Sequence, residues 1–172
     1  PLPGARHGDR AHDMAHSTRA TQALEQAGIA FALHSYAYDP AADSIGLAAA
    51  QALGVDAGQV FKTLMVLADG KPVCVIAPSN GEVSLKRAAA ALGAKAAAMM
   101  PRPDAERVSG YRIGGISPFG QTRKLPAVLD ETALLWDAIF INGGQRGLQV
   151  LVSGEDVARV LGAVVADIAV PG

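Results

Sequence analysis

The chain has 172 residues, of which half are hydrophobic, 18% are charged and one is Cys, with a formal net charge of −1. That length suits one domain with a real core, and the composition excludes a disordered chain, a disulfide scaffold and a Cys-based zinc cluster. Aromatics at 5% argue against a base-stacking platform, and Gly, Pro or a charge interrupts every apolar run before it reaches the ~18 residues of a membrane span.

Residues 1–16 mix Gly, Pro, His and charges without an apolar period, and read as a flexible N-terminal tail with no signal-peptide core. Met14 is a candidate natural start. His12 and His16 have helical metal-pair spacing, with His7 near, but no folded carboxylate or Cys is fixed beside them. From residue 17 to 170 the pattern is that of a single domain. Ser17 can cap a helix with Ala20, Ala23, Leu24 and Ala27 inward, stopped by Gly28. Ile29, Phe31 and Leu33 alternate with smaller or polar residues as a strand that runs to Tyr38, broken by Asp39-Pro40. Ser44 caps a second helix through Leu53, closed by Gly54. A hairpin follows, with strands Val60–Ala68 and Pro72–Ala77 joined at Asp69-Gly70. Ser84 opens a third helix that ends at Gly93. Short extended segments follow near Lys95–Met99, Leu125–Leu129, Ala138–Asn142 and Leu148–Val152. Ser153 and Asp156 form a capping box for a last helix ending near Leu161, before a strand over Val164–Ile168. The alternation predicts an α/β fold with a mixed sheet surrounded by helices.

Charge is unevenly placed. Residues 86–124 carry eight Lys or Arg against Asp104 and Glu106, a net of +6, which leaves −7 on the rest of the chain. Such a segment is either a positive face for a polyanion or a set of solvated helix faces.

Three features resist a purely structural reading. Lys62 lies in Val60-Phe61-Lys62-Thr63-Leu64-Met65-Val66-Leu67-Ala68, where only it and Thr63 are not apolar. An ammonium in such a strand either meets something polar or anionic, or snorkels to water on its four-carbon stem. Gly114-Gly115-Ile116-Ser117-Pro118-Phe119-Gly120 is too rich in Gly and Pro for a regular element and can bring backbone amides close to a ligand. Asn142-Gly143-Gly144-Gln145-Arg146-Gly147 reads first as a hairpin turn, with Arg146 as a candidate anion clamp. Neither loop has Walker A or dinucleotide spacing, there is no HExxH or GxSxG, and Cys74 in mid-strand reads as a buried, inert thiol. His34 reads as surface or structural. Such a chain either binds a ligand or lets the substrate supply the reactive group.

Leu33-His34-Ser35-Tyr36, Gln59-Val60-Phe61-Lys62-Thr63-Leu64, Gly114 to Gln121 and Ile141 to Leu148, with Arg123-Lys124-Leu125-Pro126 and Val165-Ala166-Asp167-Ile168, resemble in order and separation the YbaK family of aminoacyl-tRNA deacylases, which is related to the editing domain of prolyl-tRNA synthetase. The resemblance spans about residues 20–168. It implies a curved, mixed or largely antiparallel central sheet; no cofactor and no metal are expected, and the single Cys fits a reducing, cytoplasmic location. It also implies hydrolysis in trans of Cys-tRNA(Pro) mischarged by prolyl-tRNA synthetase, its transient partner. Proline and cysteine are close in size, and a synthetic pocket separates such substrates by only ~1–3 kcal/mol. The family's key Lys falls on Lys62, with Tyr36, Ile45, Thr63, Gly114, Gly115, Ile116, Ser117, Pro118, Asn142, Gly143, Gly144 and Arg146 around the substrate. Backbone amides near Gly115 and Gly143–Gly144 would stabilise an oxyanion, and the substrate thiol would assist. This chain has Asn142 where the family often has Ser, Gln149 where it often has Asp, and Ile45 near where it often has Phe. Release of alanine or another small amino acid, and a non-catalytic tRNA- or synthetase-binding module, are the alternative readings. The +6 segment is expected to face the tRNA acceptor stem.

Overall fold

A computed structural model describes residues 17–171, so the tail and its three histidines lie outside the described residues. A mixed eight-stranded sheet, curled into a half-barrel, organises the domain. Its strands are β1 (Phe31–Ser35), β2 (Val60–Ala68), β3 (Lys71–Pro78), β5 (Ala97–Met99), β6 (Ala127–Asp130), β7 (Ile139–Asn142), β8 (Leu148–Val152) and β9 (Val164–Ala166). The order is β1-β8-β7-β2-β3-β6-β9, with β5 also paired to the far end of β2. Neighbours joined by short turns run antiparallel, whereas β2–β7, β3–β6 and β6–β9 are parallel. A separate ribbon pairs β4 (Gly81–Val83) with β10 (Ala169–Pro171).

The five α-helices among the described residues are α1 (Arg19–Gln26), α2 (Ile45–Leu53), α3 (Leu85–Ala91), α4 (Arg102–Ser109) and α5 (Gly154–Leu161). Side-chain hydroxyls of Ser44, Ser84 and Ser153 cap α2, α3 and α5, as the sequence predicts. At α1 the cap is Thr18 rather than Ser17. Its hydroxyl accepts from the Thr21 amide and also donates to the Gly143 carbonyl at 2.6 Å, a tertiary tie that Ser17 does not make. Helix α4 is absent from the sequence reading because Pro101 and Pro103 look like breakers. Both sit at the start of the helix, where the missing N–H has no helical acceptor. The strand expected over Val164–Ile168 ends at Ala166 as β9, where Asp130 accepts from the amides of Ile168 and Ala169 and turns the chain, and a further short strand, β10, follows.

The hairpin turn is built as its residues dictate: Asp69 and Gly70 both have positive φ, 49° and 79°, which matches the twist of the flanking strands. Pairing from Phe61↔Pro78 to Ala68↔Lys71 is continuous, so successive β2 side chains alternate between faces without interruption. Phe61, Met65, Cys74 and Ile76 face the main core with α1, α4, α5 and the segment Tyr111–Phe119. On the opposite face, Val66, Val75 and Ala77 lie under α3, and Val60 and Phe140 lie under α2. The basic segment is therefore divided. Lys86 and Arg87 belong to α3, on one face, while Arg102 and Arg107 belong to α4, on the other. No helix among the described residues is long and apolar enough to cross a membrane.

Candidate functional site

Between the apolar patches under α2 and α3, the second face of the sheet carries a polar strip. Register sets it up. Phe61 pairs with Ile141 and both point into the main core, so Lys62 and Asn142 point to the other face on adjoining strands. Asn142 pairs with Gln149, and Gln149 with His34. Tyr36 follows just beyond β1, with its backbone amide held by the Gly147 carbonyl at 2.9 Å.

Lys62 is half-buried, and its Nζ donates to the Gly81 carbonyl at 2.7 Å. Of the two readings of this residue, the ammonium meets a polar partner inside the protein. Burial pulls its pKa below the ordinary 10.5, and Glu82 works in the other direction. An ammonium has three N–H donors, and one bond to Gly81 leaves two for a ligand.

The other members of the strip hold polar atoms that the protein leaves unsatisfied. Tyr36 Oη, Gln149 Oε1 and Ser79 Oγ are buried without a hydrogen-bond partner. Gln149 is 4% exposed, so solvent does not compensate its amide oxygen. Burial raises the Tyr36 phenol above its usual 10.0, and the neighbouring Gln149 side chain opposes the shift. Ser79 sits against Gly46 in the first turn of α2, where a Cβ on residue 46 would overlap the serine hydroxyl. That close approach seats the Ile45 end of α2 beside the start of β2, since Ser79 also donates its amide to the Val60 carbonyl. Buried polar atoms without partners are costly in a finished fold. Three of them lie on the same face as the half-buried Lys62 ammonium.

Asn142 joins the two glycine loops. Its Oδ1 accepts from the Gly144 amide at 2.7 Å and the Gln145 amide at 3.2 Å, and its Nδ2 donates to the Gly114 carbonyl at 3.1 Å. Arg146 adds a second tie, with Nε donating to the Ile113 carbonyl at 2.9 Å. Glycine at 114 is required twice over. Its φ is +89°, and a Cβ would meet the Tyr38 hydroxyl at 2.5 Å.

The structure divides the residues expected around the substrate. Lys62, Asn142, Tyr36, Gly114, Gly115, Gly143, Gly144 and Arg146 lie on the polar strip or in the two loops it joins, and Ile45 opens α2 beside the start of β2. Thr63 points into the opposite face with Phe61 and Met65, its hydroxyl buried and unpartnered. Ile116 packs against the main core, and Ser117 is fully buried, its hydroxyl accepting from the Phe119 amide at 3.3 Å. Pro118 lines a different cavity of about 190 Å³ with Cys74 and Gln121. The amides expected near Gly115 and Gly143–Gly144 divide into used and unused donors. The Gly115 amide donates to the Arg112 carbonyl, Gly143 to the Leu148 carbonyl and Gly144 to Asn142, so all three are already used. The Gly114 and Ile116 amides have no acceptor among the described residues.

Cys74 is buried, and burial pushes its thiol up to about 12, as an inert core residue requires. Among the described residues, no three His, Cys, Asp or Glu side chains are grouped to hold a metal. Sequence reading passed over Ser79, Tyr38 and Arg19. Ser79 follows an apolar strand like any turn serine, and only the three-dimensional approach of Gly46 distinguishes it.

The polar strip with its half-buried lysine and the two cross-tied glycine loops thus lie together on a curled mixed sheet. The sequence profile of the aminoacyl-tRNA editing domain family matches residues 39–160, and the chain belongs to that family. It is 32% identical over 155 residues to EbsC of Enterococcus faecalis, named as a candidate Cys-tRNA(Pro)/Cys-tRNA(Cys) deacylase, covering 88% of this chain and 92% of that one. It is also 32% identical over 85 residues to the proline–tRNA ligase of Acidithiobacillus ferrooxidans; the match covers 49% of this chain and 15% of the ligase. Among solved structures it is similar to a candidate trans-editing enzyme for prolyl-tRNA synthetase. The TM-score is 0.77 at 25% identity, over 88% of this chain and 95% of that one. The hypothetical protein APE2540, at 23% identity and TM-score 0.77, shares the fold.

Proposed function

We propose that this protein is an aminoacyl-tRNA deacylase that clears Cys-tRNA(Pro) in trans, acting after prolyl-tRNA synthetase has released the mischarged product. The observation that carries the reading is Lys62: a half-buried ammonium with spare donors, on the same sheet face as unsatisfied polar atoms, in a chain of the aminoacyl-tRNA editing family. Lys62 would hold the aminoacyl ester or terminal ribose through the two N–H groups that Gly81 leaves over. The unpaired amides of Gly114 and Ile116 supply the donors for a developing oxyanion, in place of the three glycine amides already in use.

No protein nucleophile is required. The sulfur of the bound cysteine attacks its own ester carbonyl, and the carbon–oxygen bond to the ribose breaks. The thiol proton passes to the departing ribose oxygen, and water opens the resulting four-membered thiolactone to free cysteine. The enzyme contributes orientation and charge stabilisation. The inert state of Cys74 fits this division of labour. Deacylation of Cys-, Ala- and Pro-tRNA(Pro) tests the reading. It predicts fastest release of cysteine and sparing of Pro-tRNA(Pro). Turnover of alanine alone would reject thiol assistance, and no turnover on any of the three would reject the enzyme.

A further inference from the structure

On the outer side of the two glycine loops lies a trough of about 360 Å³, lined by Tyr111, Arg112, Gly115, Gly144 and Arg146 and by no carboxylate. Two of its lining residues are arginines, Arg112 and Arg146, and a third, Arg19, holds two of the lining residues, Gly110 and Tyr111. Arg19, on α1, donates Nη2 to the Gly110 carbonyl at 2.7 Å and lies 5.1 Å from the centre of the Tyr111 ring. Arg146 donates Nε to the Ile113 carbonyl and lies 5.4 Å from the Tyr38 ring. Arg112 projects from the rim and is exposed.

We propose that Arg19, Arg112 and Arg146 form a cradle for the phosphodiester groups of an RNA 3′ end. Only Arg112 belongs to the basic segment of the sequence; the fold brings in the other two. Two of the guanidiniums are already oriented by a backbone carbonyl and an aromatic face, and each keeps further N–H groups for a ligand. Such fixed forks match phosphate oxygens and lose little freedom on binding. The trough presents two lining guanidiniums and no carboxylate, a surface that suits a polyanionic strand. Gly115 and Gly144 are shared between trough and loops, and Asn142 connects those loops to the Lys62 strip. A 3′ terminus leaving the ester site would cross here. The RNA ligand rests on the deacylase reading, but its binding can be measured without turnover.

The test is fluorescence anisotropy with a labelled, uncharged acceptor-stem minihelix ending in CCA, titrated at several salt concentrations. Arg112→Glu and Arg146→Gln should each weaken binding by about 5- to 20-fold. Each should also flatten the salt slope by ~0.7–0.9 for every phosphate that is no longer neutralised. Arg146→Lys should recover only part, because a point charge replaces the fork. Lys86→Gln on α3, which takes no part in lining the trough, should change nothing. Unchanged affinity and slope in the arginine variants, or an equal loss in Lys86→Gln, would overturn the cradle. Intact RNA binding in variants that no longer bind prolyl-tRNA synthetase would assign the surface to an acidic protein and equally overturn it. Hydrolysis of cysteine ethyl ester, which has no phosphate, should be unaffected by Arg112→Glu. If the wild type releases no amino acid from any tRNA, the deacylase reading fails while the anisotropy still decides the cradle.

Discussion

Replacing Asn142 with Ala severs the link between the two glycine loops, and its cost can be worked from the hydrogen bonds. The two short ones, Gly144 amide to Oδ1 at 2.7 Å and Nδ2 to the Gly114 carbonyl at 3.1 Å, carry most of the effect. At a net ~0.5–1.5 kcal/mol each, their removal costs about 1–3 kcal/mol, toward the upper end because two partly buried backbone groups are stranded. For a chain of this size each kcal/mol lowers Tm by roughly 2–4 °C, so Asn142→Ala should melt about 4–10 °C below the wild type. Asn142→Ser should fall between, since a hydroxyl can still take the Gly144 amide but is too short to reach Gly114 as well. Thermal melts followed by circular dichroism, with deacylation measured well below both transitions, give the two readouts. Activity should fall with the loops even at temperatures where the variant is fully folded. A Tm within about 1 °C of the wild type would mean that the loops are held by something other than Asn142.

Tyr36→Phe removes a buried hydroxyl that has no partner, so the variant should be as stable as the wild type or up to ~1–2 kcal/mol more stable, yet poorer at deacylation. A destabilisation above about 1 kcal/mol in urea unfolding would show that this hydroxyl is satisfied in solution. An NMR titration of the Lys62 side chain should find its ionisation below 10.5. The sign follows from the direction: between the folded and unfolded values the unfolded chain holds more protons, so this residue's contribution to stability improves as pH rises there. An ordinary or raised value would contradict the burial of its ammonium. Cys74, the single cysteine, should resist iodoacetamide at about pH 8 in the folded protein and react once the chain is unfolded, since a thiol near 12 is almost wholly protonated. Rapid labelling of the native protein would show that the sheet opens at β3.

Local signals carried much of the fold in the sequence. Ser44 with Gly54, and Ser153 with Gly162, fix helix ends because capping chemistry depends only on neighbours along the chain. The hairpin β2–β3 is written in Asp69-Gly70 and in the apolar runs on either side. What depends on distant partners was not legible. Thr18 replaces Ser17 as a cap because of Gly143, 125 residues away, and α4 hides behind two prolines whose tolerance depends on their place at the helix start. At the site, Lys62 stood out because a charge in an apolar strand conflicts with its surroundings. The opposite orientation of Thr63 follows from strand alternation, but a family motif that places the two residues side by side conceals it. The engagement of the Gly115, Gly143 and Gly144 amides could not be read in advance, since a glycine-rich sequence shows only that a backbone can approach a ligand, not which of its donors remain unused.

The most direct test of the central claim is a single-turnover assay of Lys62→Ala on Cys-tRNA(Pro), with Lys62→Arg alongside and melting curves to confirm folding. Lys62→Ala should fold and release cysteine about 100-fold more slowly or worse, on the order of the ~2.7 kcal/mol expected for losing one electrostatic donor at the reacting group. A folded variant that releases cysteine at the wild-type rate would contradict that claim.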